Sequence, residues 1–133
     1  MNMYINSGNE SVYNLRPWTY ISVYSNFSAF KPSFSKKPLP IQMYGAVRGN
    51  ITIQCRPEAA PAPQIEWYFG ASKISISEKF KQLPNGDLVI TGLSISDAGI
   101  YRCKATNDLG VSESAGNLLI KSKLDSLCLS LLM

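Results

Sequence analysis

Histidine is absent from the whole chain of 133 residues. Because histidine is the commonest general base and the commonest metal ligand in proteins, its absence argues against a catalytic triad and most metal centres. The three cysteines match no zinc-binding spacing, and the glycines fall singly instead of forming a phosphate-binding loop. We therefore expect a protein without catalysis, without a metal and without a cofactor.

Runs of one charge and long apolar runs are also missing. The net charge is +4, but Lys36-Lys37 is the only adjacent basic pair, so the sequence does not predict nucleic-acid binding. No stretch reaches the roughly 20 apolar residues that a membrane-spanning helix needs. A hydrophobic content of 45% and a charged content of 17% are compatible with one globular domain and a modest core.

Four residues form a spaced framework in the chain. Trp67 follows Cys55 by twelve positions, and Tyr101 stands two positions before Cys103. This set resembles the sequence signature of an immunoglobulin-type sandwich. The resemblance implies that the two cysteines lie on opposite sheets and bond across the core, with Trp67 packed against the bond. A disulfide persists in an oxidising compartment, so the pair favours secretion or the cell surface.

The residues before the second cysteine predict a corner that leads into a strand. The resemblance implies that the hydroxyl of Tyr101 turns back to the backbone near Asp97 and pins this corner. Gly99 suits the tight backbone that such a corner needs.

Alternation of apolar and polar residues predicts seven or eight short strands separated by turn signals, as in a sandwich. The residues predicted to point inward are Ile51, Ile53, Cys55, Ile65, Trp67, Phe69, Leu88, Ile90, Leu93, Tyr101, Cys103, Ala105, Leu118 and Ile120. Pro38 and Pro40 break the first, edge strand, and residues 41–47 continue it, with a switch to the other sheet as one option. The proline-rich stretch 56–63 predicts a stiff loop between the sheets.

Composition divides the chain into three parts, of which residues 31–122 carry the predicted sandwich. Residues 1–30 hold seven of the fourteen aromatic residues and two charges, without the pattern of a signal peptide. We expect an irregular or disordered leader there, with the remnant of a preceding domain or linker as the alternative. Residues 123–133 form a short apolar tail without a lipid-anchor signal, in which Cys128 is a free thiol or an intermolecular link.

Three Asn-x-Ser/Thr triplets are candidate N-glycosylation sites, and they begin at Asn9, Asn26 and Asn50. Asn50 is the best placed of the three, because it lies on the surface at the predicted start of a strand. If the chain is secreted, a glycan at Asn50 is expected.

A more specific resemblance rests on the motif Leu88-x-Ile90, Leu93, Asp97-x-Gly99-x-Tyr101-x-Cys103 and Ala105-x-Asn107-x-x-Gly110. The motif is similar to that of intermediate-set (I-set) immunoglobulin domains, which implies an all-β, antiparallel Greek-key sandwich over about residues 31–122. The stretches 32–39, 56–61 and 116–118 look most like a domain of the contactins. Contactins are neuronal, lipid-anchored adhesion glycoproteins with several such domains and fibronectin type III repeats, and this chain shows one domain and no such repeat.

The resemblance implies a cell-surface adhesion or recognition module, which binds extracellular proteins or spaces neighbouring domains. A second copy of the chain is among the candidate partners. The candidate protein-contact face is the outward side of one sheet, formed by Glu66, Tyr68, Ile100, Arg102 and Lys104. Tyrosine and arginine are favoured at interface hot spots, although a solvated polar sheet face is the alternative interpretation.

Two other functional classes are compatible with parts of the sequence: an intracellular structural module and an enzyme. An intracellular structural module, like the I-set domains of giant muscle proteins, carries the same tryptophan and tyrosine corner. An enzyme would have to use carboxylates such as Asp97 and Glu113. We expect Asp97 instead to form a structural ion pair with a base such as Lys79 or Lys81.

Overall fold

The computed structural model describes residues 28–122. The predicted tail, 123–133, and all but the last three residues of the predicted leader, 1–30, lie outside the described residues. The described part contains ten strands and one turn of 3-10 helix, and no helix in it is long and apolar enough to cross a membrane. The elements are β1 (Phe30–Ser33), β2 (Gln42–Ala46), β3 (Ile51–Ile53), β4 (Glu58–Ala60), β5 (Gln64–Phe69), β6 (Ser72–Lys73), β7 (Phe80–Gln82), β8 (Leu88–Ile90), η1 (Ile95–Asp97), β9 (Gly99–Asn107) and β10 (Gly110–Lys121).

The strands form two layers around one core. One layer is a five-stranded sheet with the order β2-β10-β9-β5-β6. The other contains a three-stranded sheet, β3-β8-β7, and a two-stranded sheet in which β1 pairs with β4. The prediction of an immunoglobulin-like Greek-key sandwich of the I-set type is confirmed.

The buried core lies between the layers and includes residues from both. Its members are Phe34, Leu39, Met43, Ile53, Cys55, Trp67, Leu88, Ile90, Leu93, Tyr101, Cys103, Ala105 and Leu118. Every residue that alternation predicted to point inward belongs to this cluster or, like Ile51, Ile65, Phe69 and Ile120, packs against it half-buried. Burying one large apolar side chain stabilises the fold by about 1.5–3 kcal/mol.

The proline-rich stretch 56–63 is not a loop throughout, which corrects the sequence-based expectation. Within it, β4 pairs antiparallel with β1, and Phe30 lies opposite Ala60. Three prolines hide the strand pattern in this stretch. The strand can form because residues 58–60, which pair with β1, contain no proline. The three prolines of the stretch lie outside this short pairing, where their missing N–H groups break no ladder hydrogen bond.

The five-stranded sheet is mixed, because β2 runs parallel to β10 with Gln42 opposite Asn117. Pro38 and Pro40 move the chain from the β1 layer to the edge of the five-stranded sheet, so the predicted switch between sheets takes place. The chain keeps its direction during this switch and therefore meets β10 in parallel. At the switch, a Cβ added to Gly116 would overlap the carbonyl oxygen of Pro40, which explains the glycine.

Candidate protein-contact face

Trp67, Tyr101 and Cys103 lie on the inward sides of β5 and β9, and Cys55 follows β3 in the facing layer. Cys55 and Cys103 form a disulfide between the two layers, with 6.4 Å between their Cα atoms. Trp67 lies opposite Cys103 in the register of β5 and β9. Its indole Nε1 donates a hydrogen bond of 2.8 Å to the carbonyl of Gly86, so the one polar atom of the buried ring has a partner.

The corner before β9 is held by two neighbouring interactions. The hydroxyl of Tyr101 donates to the backbone carbonyl of Asp97 at 2.7 Å, and burial raises the pKa of this phenol. The carboxylate of Asp97 forms an ion pair with the ammonium of Lys79 at 2.8 Å and accepts a hydrogen bond of 2.8 Å from the backbone N–H of Ser94. Burial by itself would raise the pKa of Asp97, but the bonds from Lys79 and Ser94 outweigh it and hold this pKa below its ordinary value.

Gly99 lies in the same corner with a φ of 147°, where residues with a side chain are strained. A Cβ at this position would stand 2.8 Å from the ring of Phe69. The ring of Phe69 in turn stacks on Tyr101, with 4.7 Å between centroids. The glycine therefore allows the corner and the aromatic pair to pack together.

The outward side of the same strands brings the predicted contact residues together. In the register of β5 and β9, Tyr68 lies opposite Arg102 and Glu66 lies opposite Lys104. Ile100 continues the outward row of β9 and is 49% exposed. We call the outward sides of these five residues the contact face; its use by a partner stays a prediction.

The centre of the contact face is a tyrosine between two cations. The guanidinium carbon of Arg102 lies 4.9 Å from the ring centroid of Tyr68, and the Nζ of Lys104 lies 6.0 Å from it. Both distances suit cation–π attraction. The hydroxyl of Tyr68 donates to Glu66 Oε1 at 3.2 Å. These contacts hold a large aromatic ring in place at the surface.

Two charged residues that the sequence analysis did not place on the contact face complete it. Lys73 on β6 bonds Glu66 at 3.1 Å, and this bond holds the pKa of Glu66 below its ordinary value. Glu113 on β10 approaches the Nε of Arg102 to 3.4 Å. This contact is an ion pair without hydrogen-bond alignment, since Nε has no hydrogen-bond partner among residues 28–122.

Turn geometry is the signal that could have placed these two residues. The two-residue turn after β5 sets Lys73 opposite Tyr68. The turn between β9 and β10 sets Glu113 opposite Lys104. A register argument from each hairpin would therefore have found both partners.

An apolar margin adjoins the contact face on the side of β2. Tyr44 is 58% exposed and lies opposite Leu119 on β10. The Nζ of Lys121 stands 5.6 Å from the ring centroid of Tyr44. The outward side of the five-stranded sheet therefore combines a charged centre with exposed apolar surface at the edge.

The carboxylates considered for catalysis are in separate places. Asp97 lies in η1 and forms an ion pair with Lys79, one of the two bases expected for it. Glu113 lies on the outward side of β10 beside Arg102. In residues 28–122, no group of three or more histidine, cysteine, aspartate or glutamate side chains could hold a metal ion.

Asn50 is exposed at the start of β3, and its glycosylation stays a prediction. Its Oδ1 accepts the N–H of Gly92 at 3.2 Å. Its Nδ2, the atom that carries an N-linked glycan, has no hydrogen bond within the described range. The other two candidates, Asn9 and Asn26, lie outside the described residues.

The geometry and the sequence together define the class of this protein. Residues 31–107 match the family described as Immunoglobulin domain, and the chain belongs to that family. Over 92 residues, 69% of the chain, it is 40% identical to contactin of Drosophila melanogaster and covers 7% of that protein. The chain spans between 7% and 10% of the length of the contactins that it matches.

Two solved structures of similar shape come from different proteins, Sidekick-1 and titin. Immunoglobulin domains 1–4 of Sidekick-1 share 32% identity at a TM-score of 0.62, over 68% of this chain and 24% of that one. An I-band fragment of titin shares 26% identity at a TM-score of 0.62, over 69% of this chain and 33% of that one. The fold is therefore common to contactins, Sidekick-1 and titin, and by itself it does not separate the functional classes.

Proposed function

We propose that this chain is an extracellular adhesion or recognition module of the contactin type, which binds another cell-surface protein through the contact face. The observation that carries the proposal is the fixed, half-exposed Tyr68 between Arg102 and Lys104. Tyrosine and arginine supply much of the binding energy in protein interfaces. A ring that is already held in place loses little conformational freedom when a partner covers it.

The proposed location outside the cell has two supports. The Cys55–Cys103 disulfide suits an oxidising compartment. Asn50 offers an exposed glycosylation triplet on the layer opposite the contact face. A glycan there would leave Tyr68 and Arg102 accessible.

The test is a binding screen with matched variants of the full chain. The chain, displayed as a multimer, is screened against a panel of cell-surface ectodomains that includes contactins and the chain itself. The contact-face variant is Tyr68→Ala/Arg102→Ser. The control variant is Val89→Ala/Lys81→Ser. Like the contact-face variant, it truncates one large side chain and removes one cation from two register partners, but these lie on the outward side of the three-stranded sheet.

We expect a partner that binds the wild-type chain and the control variant but does not bind the contact-face variant. Truncating hot-spot residues costs about 2 kcal/mol or more, which is roughly thirtyfold in affinity. Equal binding by both variants would place the partner elsewhere on the molecule. Absence of any partner in the panel would favour the role of a spacer between domains.

A structural module inside the cell is the second candidate function. The similarity to the titin fragment supports it, since that likeness extends over 69% of the chain. In this role the stable core would resist force, and the contact face would be a solvated surface. The module would then remain folded with Cys55 and Cys103 reduced, which separates the two proposals.

A further inference from the structure

We propose that the open edge of β3 binds an acidic, extended peptide, which joins the three-stranded sheet as an additional strand. β3 pairs with β8 on one side, and no strand among residues 28–122 pairs with its other side. The edge is open because the chain crosses to the five-stranded sheet at Pro38 and Pro40 instead of continuing beside β3. This surface is separate from the contact face and from the proposed function.

The backbone of β3 presents hydrogen-bonding groups to this edge. The N–H of Cys55, two residues beyond β3, donates to the carboxylate of Asp87 on the side of β8 at 3.0 Å. Along a strand, successive backbone N–H groups point to opposite sides. The N–H groups of Thr52 and Gln54 therefore point away from β8, toward the open edge, where an extended peptide could pair with them.

A cleft of about 410 Å³ runs along this edge. β3 forms one wall of it, and Pro38 and Pro40 form part of the other. Ile51, which is half-buried, brings apolar surface to its base, above the almost completely buried Met43 and Ile53. A peptide strand in the cleft would thus place alternate side chains on an apolar floor and at a solvent-facing rim.

The rim of the cleft is basic and determines the chemistry of the peptide. Lys36, Lys37 and Arg56 line the cleft, and no acidic residue does. Arg56 already pairs with the carboxylate of Asp87 at 2.8 Å, so the basic charge left for a ligand is that of the two lysines. Lys36 pairs with Glu58 at 3.2 Å across an exposed contact, which a ligand can replace at little cost. Lys37 has no ion pair or hydrogen bond within residues 28–122, so its charge is available to a carboxylate of the ligand.

The candidate glycan at Asn50 is compatible with this site. The side-chain amide of Asn50 is turned toward Gly92, which follows β8, by the hydrogen bond of 3.2 Å. This orientation directs the side chain away from the open edge. The edge therefore stays accessible when Asn50 is modified.

The test uses the full chain and fluorescent synthetic peptides in which glutamate alternates with valine, and binding is followed by fluorescence anisotropy. A second peptide has the same sequence with N-methylated backbone amides, so that it keeps the charges and loses the strand-pairing donors. Lys37→Glu is the cleft variant. Lys81→Glu is its matched control, because Lys81 is an exposed lysine on β7, at the opposite edge of the three-stranded sheet.

We expect saturable binding of the unmodified peptide, at least about tenfold weaker binding to the Lys37→Glu variant, and an unchanged affinity for Lys81→Glu. The N-methylated peptide should not bind. The proposal is overturned if the unmodified peptide does not bind, or if both variants bind it equally. Equal binding of the N-methylated peptide would overturn strand addition. If a heparin-derived oligosaccharide bound more tightly than the peptide, and its binding depended on Lys37, the cleft would belong to a sulfated glycan instead.

Discussion

The two sides of β5 and β9 have opposite roles, although their residues alternate along the same backbone. Trp67 on the inward side is 2% exposed, and its outward neighbour Tyr68 is half-buried. On β9, Cys103 is completely buried, while Arg102 and Lys104 beside it are half-buried. The inward residues fill the core through close packing and a covalent bond, whereas the outward residues form partly exposed charge contacts.

This difference shows that one pair of strands can stabilise the core with one side and leave the other side open to the recognition proposed above. Removing an inward side chain leaves a cavity that the close-packed core cannot fill. Removing an outward one breaks partly exposed ion pairs, which contribute little to folding because water and salt screen them. The outward residues can therefore suit a partner without a cost to the fold.

The largest contrast is expected between two adjacent substitutions. Trp67→Ala should lower the free energy of unfolding by about 3–5 kcal/mol, because it removes a buried indole. Tyr68→Ala should lower the free energy of unfolding by less than about 1 kcal/mol, because the contacts of this half-buried ring are partly exposed. Urea unfolding of the two variants beside the wild-type chain measures both values, and similar losses would remove the distinction between the sides.

The disulfide is expected to give the next effect. Cys103→Ala should lower the free energy of unfolding by about 2–5 kcal/mol, since the bond closes a loop of 48 positions. The double variant Cys55→Ala/Cys103→Ala should lose little more than the single one, because the same bond is absent in each. Thermal unfolding of the three proteins checks this, and a single variant as stable as the wild type would contradict it.

The tyrosine corner should contribute less than the disulfide. Tyr101→Phe keeps the ring against Phe69 and removes the hydroxyl that the carbonyl of Asp97 accepts. A buried carbonyl without its partner costs about 1–3 kcal/mol. Chemical denaturation measures the loss; a neutral effect would mean that the hydroxyl does not pin the corner.

The smallest predicted effect is a dependence on acid pH. The pKa of Asp97 and that of Asp87 lie below their ordinary value of 3.8 in the folded chain, so both carboxylates stabilise the fold when ionised. This contribution is complete above the ordinary pKa and is lost as the pH falls through the folded pKa values. Unfolding measured from pH 6 to about pH 2 should show falling stability below about pH 4, with a shallower fall in Asp97→Asn. An identical fall in that variant would exclude Asp97 as a source.

The inward half of the molecule could be predicted almost completely from the sequence. Period-two alternation marks residues such as Ile53 and Leu118 because burial selects apolar side chains at every second position. The strand at 58–60 escaped prediction, since prolines mask its pattern. Phe34 and Leu39 also escaped, because their burial depends on how the kinked segment covers the side of the sandwich.

The outward half could be predicted only in part. Alternation identifies Tyr68 and Arg102 as neighbours on one face, but the partners Lys73 and Glu113 depend on the register that the hairpin turns impose. The open edge of β3 depends on a gap between strands, which no local pattern reports. Properties that arise from pairing between distant segments therefore required the structure.

The most direct test of the extracellular assignment is the intact mass of the chain after secretion from eukaryotic cells, combined with thermal unfolding with and without reductant. We predict one disulfide protected from alkylation, between Cys55 and Cys103, and a mass decrease upon glycosidase treatment that is smaller in Asn50→Gln. Reduction should remove about 4 kcal/mol of stability, from the loop that the bond closes. A folded chain without a glycan, equally stable with all three thiols free, would contradict the account and favour a structural module inside the cell.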